Sequence, residues 1–309
     1  MIWPDMDNAI VYDSKVRAAL KEGRPVVALE STVITHGLPY PENVETALAM
    51  EAAVRQGGAL PATVAVLGGR PTVGLSTDQL KYLATRPAGA VRKCSRRDLA
   101  FAVARGEDGA TTVAGTMIVA HRAGIELFAT GGIGGVHRGR PFDVSADLSE
   151  LGRTPVTVVC SGAKSILDLP LTLEVLETNG VPVIGYGAGE LPAFFSRNSG
   201  LSLEMRLDRP EEVAHVIKAR RALKLDSALL VAVPVPAADA FDSAEAEAAI
   251  SRATREADEA GIVGPAATPW LLRRINELTA GRSLQANVSL LKNNGRIAGQ
   301  IAASLTTGR

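Results

Sequence analysis

The amino-acid sequence predicts an α/β fold, an α/β/α sandwich with a largely parallel central sheet and a helical C-terminal third. Short runs rich in β-branched residues alternate with longer amphipathic stretches, which is typical of successive β-α units. Some short runs are almost entirely apolar, as in residues 155–160, and this indicates strands buried on both faces. In the last third, a single strand-like run stands among four helical patterns.

The predicted elements follow this alternation along the chain. Helix starts are indicated by Ser76, by Ser95 and by Pro210, which is followed by two acidic residues. Helix ends are indicated by Gly124 and Gly180, which suit left-handed C-caps. The predicted strands are residues 25–29, 63–67, 89–93, 126–129, 155–160, 182–186, 203–206 and 228–233, and the predicted helices are residues 41–56, 76–84, 95–104, 111–123, 165–179, 210–223, 243–260, 269–279 and 283–305.

Length and composition bound the class of protein. The 309 residues are 46% hydrophobic, and we expect one domain over residues 1–309 with residues 1–15 as an N-terminal extension. The 33 basic and 33 acidic residues balance, and only 4% of residues are aromatic, so no nucleic-acid partner is expected. The N-terminus lacks a signal-peptide pattern, the apolar runs are too short to span a bilayer, and Cys94 and Cys160 do not form a disulfide framework. We therefore expect a cytoplasmic protein with no membrane partner.

Lys164 is the residue that most strongly indicates a function. It follows the apolar run 155–160 after a Ser-Gly-Ala turn and precedes a helical pattern. Open α/β folds build their sites at the carboxyl ends of such strands. The residue suits an anion ligand or, in a dry site or beside a second cation, a nucleophilic amine. It does not belong to a phosphate-binding Walker loop, because alanine rather than glycine precedes it.

Glu30 occupies the same kind of position after the apolar run 25–29. A carboxylate at a strand end is a candidate general acid or base, and Ser31 and Thr32 follow it directly. A polar strand terminus with a hydroxyl capping the next turn is an equally good interpretation of this segment alone.

Two further segments indicate an anion site. Lys93 precedes Ser95, Arg96 and Arg97 at a predicted helix start, where cations and backbone N–H groups attract anions. A solvated basic face is the alternative. The hydroxyl-rich residues 111–116 would let a ligand approach the backbone, or would simply allow close helix packing.

The segment 129–139 places four glycines in five residues directly after a strand. Such a loop can present backbone N–H groups to a phosphate. It is not a dinucleotide fingerprint, because His137 stands where the last glycine of that motif belongs.

Asp143 and Asp147 stand four residues apart with Ser145 between them. Ions such as Mg²⁺ or Mn²⁺ bind through one or two carboxylates plus waters. Capping of a short helix by Ser145 or Asp147 is the simpler explanation of the spacing. Together, the strand-end Lys, Glu, Asp and His residues and the glycine loop favour an enzyme that acts on a phosphorylated small molecule.

These segments, taken in order, resemble the pseudouridine-5′-phosphate glycosidase family, which is also called indigoidine synthase A-like. The resemblance extends from about Val16 to Leu305. It is carried by VALEST at 27–32, HG at 36–37, PAT at 61–63, Lys93 with SRRD at 95–98, GATTV at 109–113, FATGGIGGVHRG at 128–139 and SGAKSILD at 161–168.

The resemblance implies an activity and roles for individual residues. The expected reaction is the reversible cleavage of the carbon–carbon glycosidic bond of pseudouridine 5′-phosphate, with water, to uracil and ribose 5-phosphate. Lys164 would be the nucleophile that forms a Schiff-base adduct at C1′ of the opened ribose, and Glu30 the proton donor. The resemblance also implies Mn²⁺ or another divalent cation at Asp143, and a homotrimer. The implied substrate contacts are Lys93, Val113, Ser145, Ala146 and Asp147, with His137, Asn287 and Thr130 as additional contacts.

Two alternatives remain open from the sequence. One is a Schiff-base lyase or aldolase acting on another sugar phosphate, which would use the same Lys164 and Glu30. The other is a non-catalytic sugar-phosphate sensor or biosynthetic accessory protein. The presence of both a nucleophile and an acid speaks against a simple binding protein.

Overall fold

The computed structural model describes residues 9–87, 89–262 and 267–306. Within this part of the chain, eleven strands form one sheet in the order β1-β4-β3-β2-β7-β10-β14-β12-β13, and β6 joins β5 to β3. The strands are β1 (Val11–Tyr12), β2 (Val26–Leu29), β3 (Leu60–Leu67), β4 (Arg70–Val73), β5 (Arg92–Cys94), β6 (Gly109–Thr111), β7 (Leu127–Ala129), β10 (Thr157–Cys160), β12 (Val183–Tyr186), β13 (Met205–Leu207) and β14 (Leu229–Ala232).

The sheet is largely parallel, as the sequence predicts. Among the described strand pairs of this sheet, only those of β3 with β4 and of β3 with β6 are antiparallel. At the centre, β2, β7, β10 and β14 run side by side with their residues in register, for example Leu29 beside Ala129 and Ala129 beside Val159. The carboxyl ends of these strands therefore lie at one edge, where Glu30, Thr130 and Ser161 follow them.

A second, smaller sheet lies beside the carboxyl ends of the central strands. It contains β8 (Val136–His137), β9 (Arg140–Val144) and β11 (Leu167–Asp168), paired antiparallel in the order β11-β8-β9. The glycine loop leads into β8, and the Lys164 segment leads into β11. This small sheet thus ties together two of the segments that the sequence singles out.

Helices cover both faces of the large sheet. The helices are α1 (Ser14–Lys21), α2 (Glu42–Gln56), α3 (Thr77–Ala84), α4 (Arg96–Arg105), α5 (Val113–Arg122), α6 (Ala146–Leu151), α7 (Leu169–Thr178), α8 (Pro210–Ala222), α9 (Ser243–Glu259), α10 (Ala267–Leu278) and α11 (Arg282–Thr306). In one group, α2 and α8 pack against α11, and α11 packs against β2, β7 and β10. In a second group, α4 to α7 pack in succession, and α5 packs against β2, β3 and β7. This arrangement confirms the predicted α/β/α sandwich and its helical C-terminal third. None of these helices is long and apolar enough to cross a membrane.

An ion-pair cluster fastens α4 to α6. The buried carboxylate of Glu150 accepts hydrogen bonds from Nε and Nη2 of Arg96, both at 2.6 Å, and Thr154 donates a further one. Burial disfavours the charged form of Glu150, but the hydrogen bonds from Arg96 and Thr154 outweigh it and hold the pKa of this carboxyl below its ordinary value. The cluster holds the first turn of α4, which follows Lys93 and Ser95, against the body of the protein.

The predicted helix at 165–179 begins later than expected. The structure has α7 start at Leu169, because the Asp168 carboxylate caps it by accepting from the Leu171 N–H at 3.0 Å and Pro170 stands in the first turn. Residues 167–168 pair with β8 instead. The helix predicted at 111–123 likewise begins at Val113, since residues 109–111 form β6 and Thr112 is the cap.

Several short strands were not predicted. These are β1, β4, β6, β8, β9 and β11, none of them longer than five residues, which leaves little periodicity to detect. The strand predicted at 89–93 is observed as Arg92–Cys94. Of the expected N-terminal extension, residues 1–8 lie outside the described residues, and residues 11–12 form β1 beside β4.

Candidate active site

A cavity of about 350 Å³ opens at the carboxyl ends of β2, β7 and β10. Its lining combines strand ends, the glycine loop, the start of α5 and one face of α11, as expected for an α/β sheet. Ten residues that the sequence analysis named as catalytic or substrate-binding line it: Glu30, Lys93, Val113, Thr130, His137, Ser145, Ala146, Asp147, Lys164 and Asn287.

Lys164 is held by the glycine loop. After β10, the Ser161 N–H donates to Gly131 O at 2.8 Å, the Ile133 N–H to Gly162 O at 3.1 Å and the Lys164 N–H to Ile133 O at 3.1 Å. Gly162 has a φ of +78°, a left-handed conformation that favours glycine. The two loops therefore pair like short strands, which fixes the backbone from which the amine enters the cavity.

The nearest cysteine is not a competing nucleophile. Cys160 is fully buried at the end of β10, and burial raises the pKa of its thiol to about 12. The thiol of Cys160 therefore does not compete with the Lys164 amine, which lines the cavity.

Glu30 leaves the end of β2 and enters the same cavity. The Thr130 hydroxyl, at the end of the neighbouring strand β7, donates a hydrogen bond to Glu30 Oε1. Burial raises the pKa of the Glu30 carboxyl above its ordinary value, although the Lys164 ammonium and the Thr130 hydrogen bond favour the charged form. A raised pKa keeps more of this side chain protonated near neutral pH, which suits a proton donor.

Lys93 supplies a second cation. It is half-buried on β5, and its pKa is lowered first by burial and then by the Lys164 ammonium, while the carboxylates of Asp147 and Glu30 act in the opposite direction. The cavity thus brings two amines and two carboxylates close enough to influence one another.

Asp147 fastens the start of α5 to the glycine loop. Its buried carboxylate accepts from the Ala114 N–H at 3.0 Å and from the Gly134 N–H at 2.9 Å. Ser145 caps α6 and is itself held by its N–H, which donates to Gly135 O at 3.0 Å. The segment 145–147 is therefore a rigid wall, and the capping expected from the spacing of these residues is present.

The glycine loop is packed rather than open. A Cβ on Gly132 would lie 2.7 Å from Phe194 Cε2, too close for any other residue without a shift of the ring. Two of its backbone N–H groups, those of Ile133 and Gly134, already donate to Gly162 O and to Asp147. At these two positions the glycine-rich sequence serves close packing and not an exposed phosphate cradle.

Asp143 lies apart from the other predicted site residues. It is exposed on β9 and does not line the cavity. Among the described residues, no group of three or more His, Cys, Asp or Glu side chains is placed to hold a metal ion. The donor set therefore does not fit an ion enclosed by protein ligands, but one exposed carboxylate fits a hydrated Mg²⁺ or Mn²⁺ ion that keeps most of its waters.

Several lining residues were not assigned a role from the sequence. His36 lies in a π-helical turn, and its pKa is lowered by burial and then by Lys93. Phe194 and Leu272 form apolar parts of the wall, and Thr268 also lines the cavity. They come from loops and from α10, with no local pattern that marks them. Leu291 was detectable in principle, because it follows Asn287 by four residues on the same helix face.

Comparisons with known proteins place the chain in a family. The family model described as "Indigoidine synthase A like protein" matches residues 15–304. The chain is 55% identical over 304 residues to a pseudouridine-5′-phosphate glycosidase of Paracoccus denitrificans, covering 98% of this chain and 100% of the relative. It is 57% identical over 300 residues to the protein of the same name from Methylobacterium nodulans, covering 96% of this chain and 88% of the relative.

A solved structure shows the same fold. It is the crystal structure of the prealnumycin C-glycosynthase AlnA in complex with ribulose 5-phosphate, which is 41% identical to this chain. The two superpose with a TM-score of 0.89, over 98% of each chain.

Proposed function

The chain belongs to the indigoidine synthase A-like family, and on that premise we propose that it is an enzyme that reversibly cleaves pseudouridine 5′-phosphate. Water and the substrate would give uracil and ribose 5-phosphate. The observation that carries the proposal is the convergence of Lys164, Glu30 and Lys93 in one cavity, which supplies a nucleophile, a proton donor and a cation for the phosphate. The names of the relatives support this substrate, and the sugar-phosphate complex of the C-glycosynthase supports a ligand of this class.

Binding comes first. A sugar phosphate carries a negative charge that Lys93 and the N-terminus of α5 favour, since Thr112 and Val113 at that terminus line the cavity. Asn287 from α11 and the apolar side chains of Phe194 and Leu272 would face the flat uracil base. We assign the phosphate to the wall formed by Lys93 and the start of α5, and the uracil base to the wall formed by Asn287, Phe194 and Leu272.

The adduct forms in the second step. The Glu30 carboxyl gives its proton to the ribose ring oxygen O4′ as the C1′–O4′ bond breaks, and the lone pair of Lys164 Nζ forms a bond to C1′. A proton of the attached nitrogen then returns to Glu30. The product is an open-chain ribose joined to Lys164 through C1′, which still carries uracil.

Cleavage follows from the nitrogen lone pair. As it forms a C1′=N double bond, the electron pair of the C1′–C5 bond leaves with uracil, and C5 takes the proton of Glu30. Water then adds to the C1′=N group with Glu30 as the base, and ribose 5-phosphate departs while Lys164 is restored. A carboxylate pair, which suffices for ordinary glycosides, has no nitrogen lone pair to expel a carbon leaving group in this way.

Borohydride trapping tests this chemistry directly. Reduction in the presence of ribose 5-phosphate should add the mass of the reduced sugar phosphate at Lys164, and Lys164→Ala should abolish both the adduct and the release of uracil. Lys81→Ala, on the remote helix α3, is the control variant and should behave like the wild type. An adduct at another lysine, or none, would contradict the mechanism. An adduct without uracil release from pseudouridine 5′-phosphate would favour the alternative of a lyase or aldolase acting on another sugar phosphate.

We further propose that Asp143 holds a hydrated divalent cation, Mn²⁺ or a similar ion. When bound, such an ion would help to neutralise the charge of the substrate phosphate. The support is the chemistry of one exposed carboxylate close in sequence to the cavity wall at 145–147. Uracil release should fall in the presence of a chelator and recover with added Mn²⁺, and Asp143→Asn should remove this dependence. Equal rates with and without chelator would contradict the proposal.

A homotrimer is the assembly that we propose. Its support in this chain is Phe142 on β9, whose side chain is 99% exposed, with Val144 of the same strand also exposed. A fully exposed aromatic ring on a short antiparallel sheet suits burial against another copy. Sedimentation of the wild type should give three times the chain mass, and Phe142→Asp should lower it. The cytoplasmic location stays a prediction of the sequence.

A further inference from the structure

A buried amide side chain lies beneath the cavity. Asn294, near the middle of α11, is fully buried, and its helix neighbours Leu290, Leu291, Ile297 and Ala298 are buried apolar residues. Burying an amide is unfavourable unless its donors and acceptor are used, and an apolar residue of similar size would pack at this position without that penalty. The polar side chain therefore calls for an explanation in terms of its partners.

Its partners belong to two neighbouring strand ends. Asn294 Nδ2 donates to Thr130 O at 2.9 Å and to Ser161 Oγ at 3.1 Å. Thr130 follows β7 and Ser161 follows β10, each one residue beyond the strand. On the side of β7 that faces away from β10, its pairing with β2 ends at Ala129 and Leu29. Asn294 thus supplies a donor to Thr130 O just beyond the end of that strand pairing.

Thr130 and Ser161 support the two reacting groups of the proposed mechanism, the Glu30 carboxyl and the Lys164 amine. The Thr130 hydroxyl donates to the Glu30 carboxylate, and Ser161 begins the turn that ends at Lys164. The backbone also joins the two strand ends, since the Ser161 N–H donates to Gly131 O at 2.8 Å. One amide therefore touches both the support of the proton donor and the support of the nucleophile.

We propose that Asn294 is a positioning residue that fastens the ends of β7 and β10 and so fixes the Glu30 carboxyl relative to the Lys164 amine. Asn294 does not line the cavity. The inference rests on the proposed roles of Glu30 and Lys164, in which Glu30 protonates C5 while the nitrogen of Lys164 expels the electron pair of the C1′–C5 bond. Misplacing reacting groups by about 1 Å can lower a rate about 100-fold.

The experiment compares Asn294→Leu with Asn293→Leu. Asn293 is the adjacent residue on the same helix, and its contacts are with Pro234 O and Arg296 rather than with the two strand ends. Both variants remove an amide from α11 and replace it with the same side chain. Hydrogen exchange followed by mass spectrometry reports the strand ends, and steady-state kinetics of uracil release report the chemistry.

We expect Asn294→Leu to speed amide exchange in segments 128–135 and 158–166, and to lower kcat about 10- to 100-fold with a smaller change in KM. Asn293→Leu should do neither. If the leucine variant lacks a cooperative unfolding transition, Asn294→Ser is measured instead, because its hydroxyl is too short to reach both acceptors.

The pH profile separates positioning from a loss of stability. Glu30 faces Lys164, Lys93 and Asp147, and the Thr130 hydrogen bond favours its charged form. Without the contact from Asn294, the Thr130 hydrogen bond to Glu30 should weaken and the pKa of Glu30 should rise. The fall of kcat at high pH should therefore move to a higher pH in Asn294→Leu. In the double variant with Thr130→Val, the two effects should be less than additive because Asn294 acts through Thr130.

The outcomes distinguish this inference from the proposed function. Wild-type protein that releases no uracil would refute the proposed function, while faster exchange in the two segments would still support the fastening of the strand ends. Active wild-type protein, with exchange and pH profile unchanged in Asn294→Leu, would overturn the inference and leave the function standing.

Discussion

Replacing Lys93 by methionine tests whether the cavity recognises a phosphate. The variant keeps most of the length of the half-buried side chain and removes its charge. A hydrogen bond to a charged group contributes about 1.5–3 kcal/mol, which corresponds to a change of about 10- to 150-fold in affinity. Because the phosphate is bound equally before and during the reaction, the loss should appear in KM, with kcat nearly unchanged.

The assay measures uracil release from pseudouridine 5′-phosphate and from pseudouridine without its phosphate. In Lys93→Met, the preference for the phosphorylated substrate should fall by the same factor of about 10 to 150, because the unphosphorylated substrate has no partner for Lys93. Arg92→Met is the matched control, since Arg92 precedes Lys93 on β5 and pairs with Glu107 outside the cavity at 2.5 Å. An equal loss for both substrates would refute the assignment of the phosphate to Lys93.

The same lysine predicts a pH dependence of binding. Burial and the Lys164 ammonium lower the pKa of Lys93, so its charge is lost at a lower pH than that of an ordinary lysine. In the wild type, KM for the phosphorylated substrate should rise as the pH increases through this lowered pKa. That limb should be missing in Lys93→Met, and its persistence there would assign it to another group.

Three further predictions concern the acid, a buried carboxylate and the glycine loop. Glu30→Gln should keep the borohydride-trapped adduct but lower turnover about 100- to 10,000-fold. In the wild type, kcat should fall with rising pH above the ordinary carboxyl range, because the pKa of Glu30 is raised, and this fall should be absent in Glu30→Gln. Glu150→Gln should lower the free energy of unfolding at pH 7 by about 1–3 kcal/mol in denaturant titrations. Gly132→Ala should lower it by about 1–3 kcal/mol because the new Cβ would displace Phe194, and Gly189→Ala, where nothing lies within 4 Å, should not.

Each of these has an outcome that would contradict it. Near-normal turnover in Glu30→Gln would remove Glu30 from the acid role. The pKa of Glu150 is lowered in the folded protein, so its stabilisation is complete above its ordinary value of 4.5 and is lost as the pH falls through the lowered pKa. The difference between wild type and Glu150→Gln should therefore shrink on acidification, and a constant difference would refute the electrostatic explanation. Equal stability of the two glycine variants would argue against close packing at Gly132.

The sequence predicts the strand-end residues well because their positions follow from topology. Glu30 and Lys164 each come after an apolar run, and parallel strands that lie together must end at one edge. The fold class follows from the same alternation of strands and helices. The predicted start of α7 at residue 165 was wrong, because residues 167–168 form β11 and Asp168 makes the actual cap.

The walls of the cavity were not predictable in the same way. Phe194 lies in a loop with a φ of 63°, and its position against Gly132 depends on the packing of distant segments. The site residues at 145–147 were named from a resemblance, but the role of the Asp147 carboxylate as a link between α5 and the glycine loop needed coordinates. Such contacts join residues more than ten positions apart and leave no periodic signal.

The packed glycine loop has a consequence for how relatives of this protein can diverge. The floor of the cavity is made of backbone, and at Gly132 any added side chain meets the ring of Phe194. Substitution there cannot adjust substrate preference without first disturbing the support of Lys164. Side chains of the walls, such as Thr268 and Leu272, offer positions where a change of substrate preference need not disturb this floor.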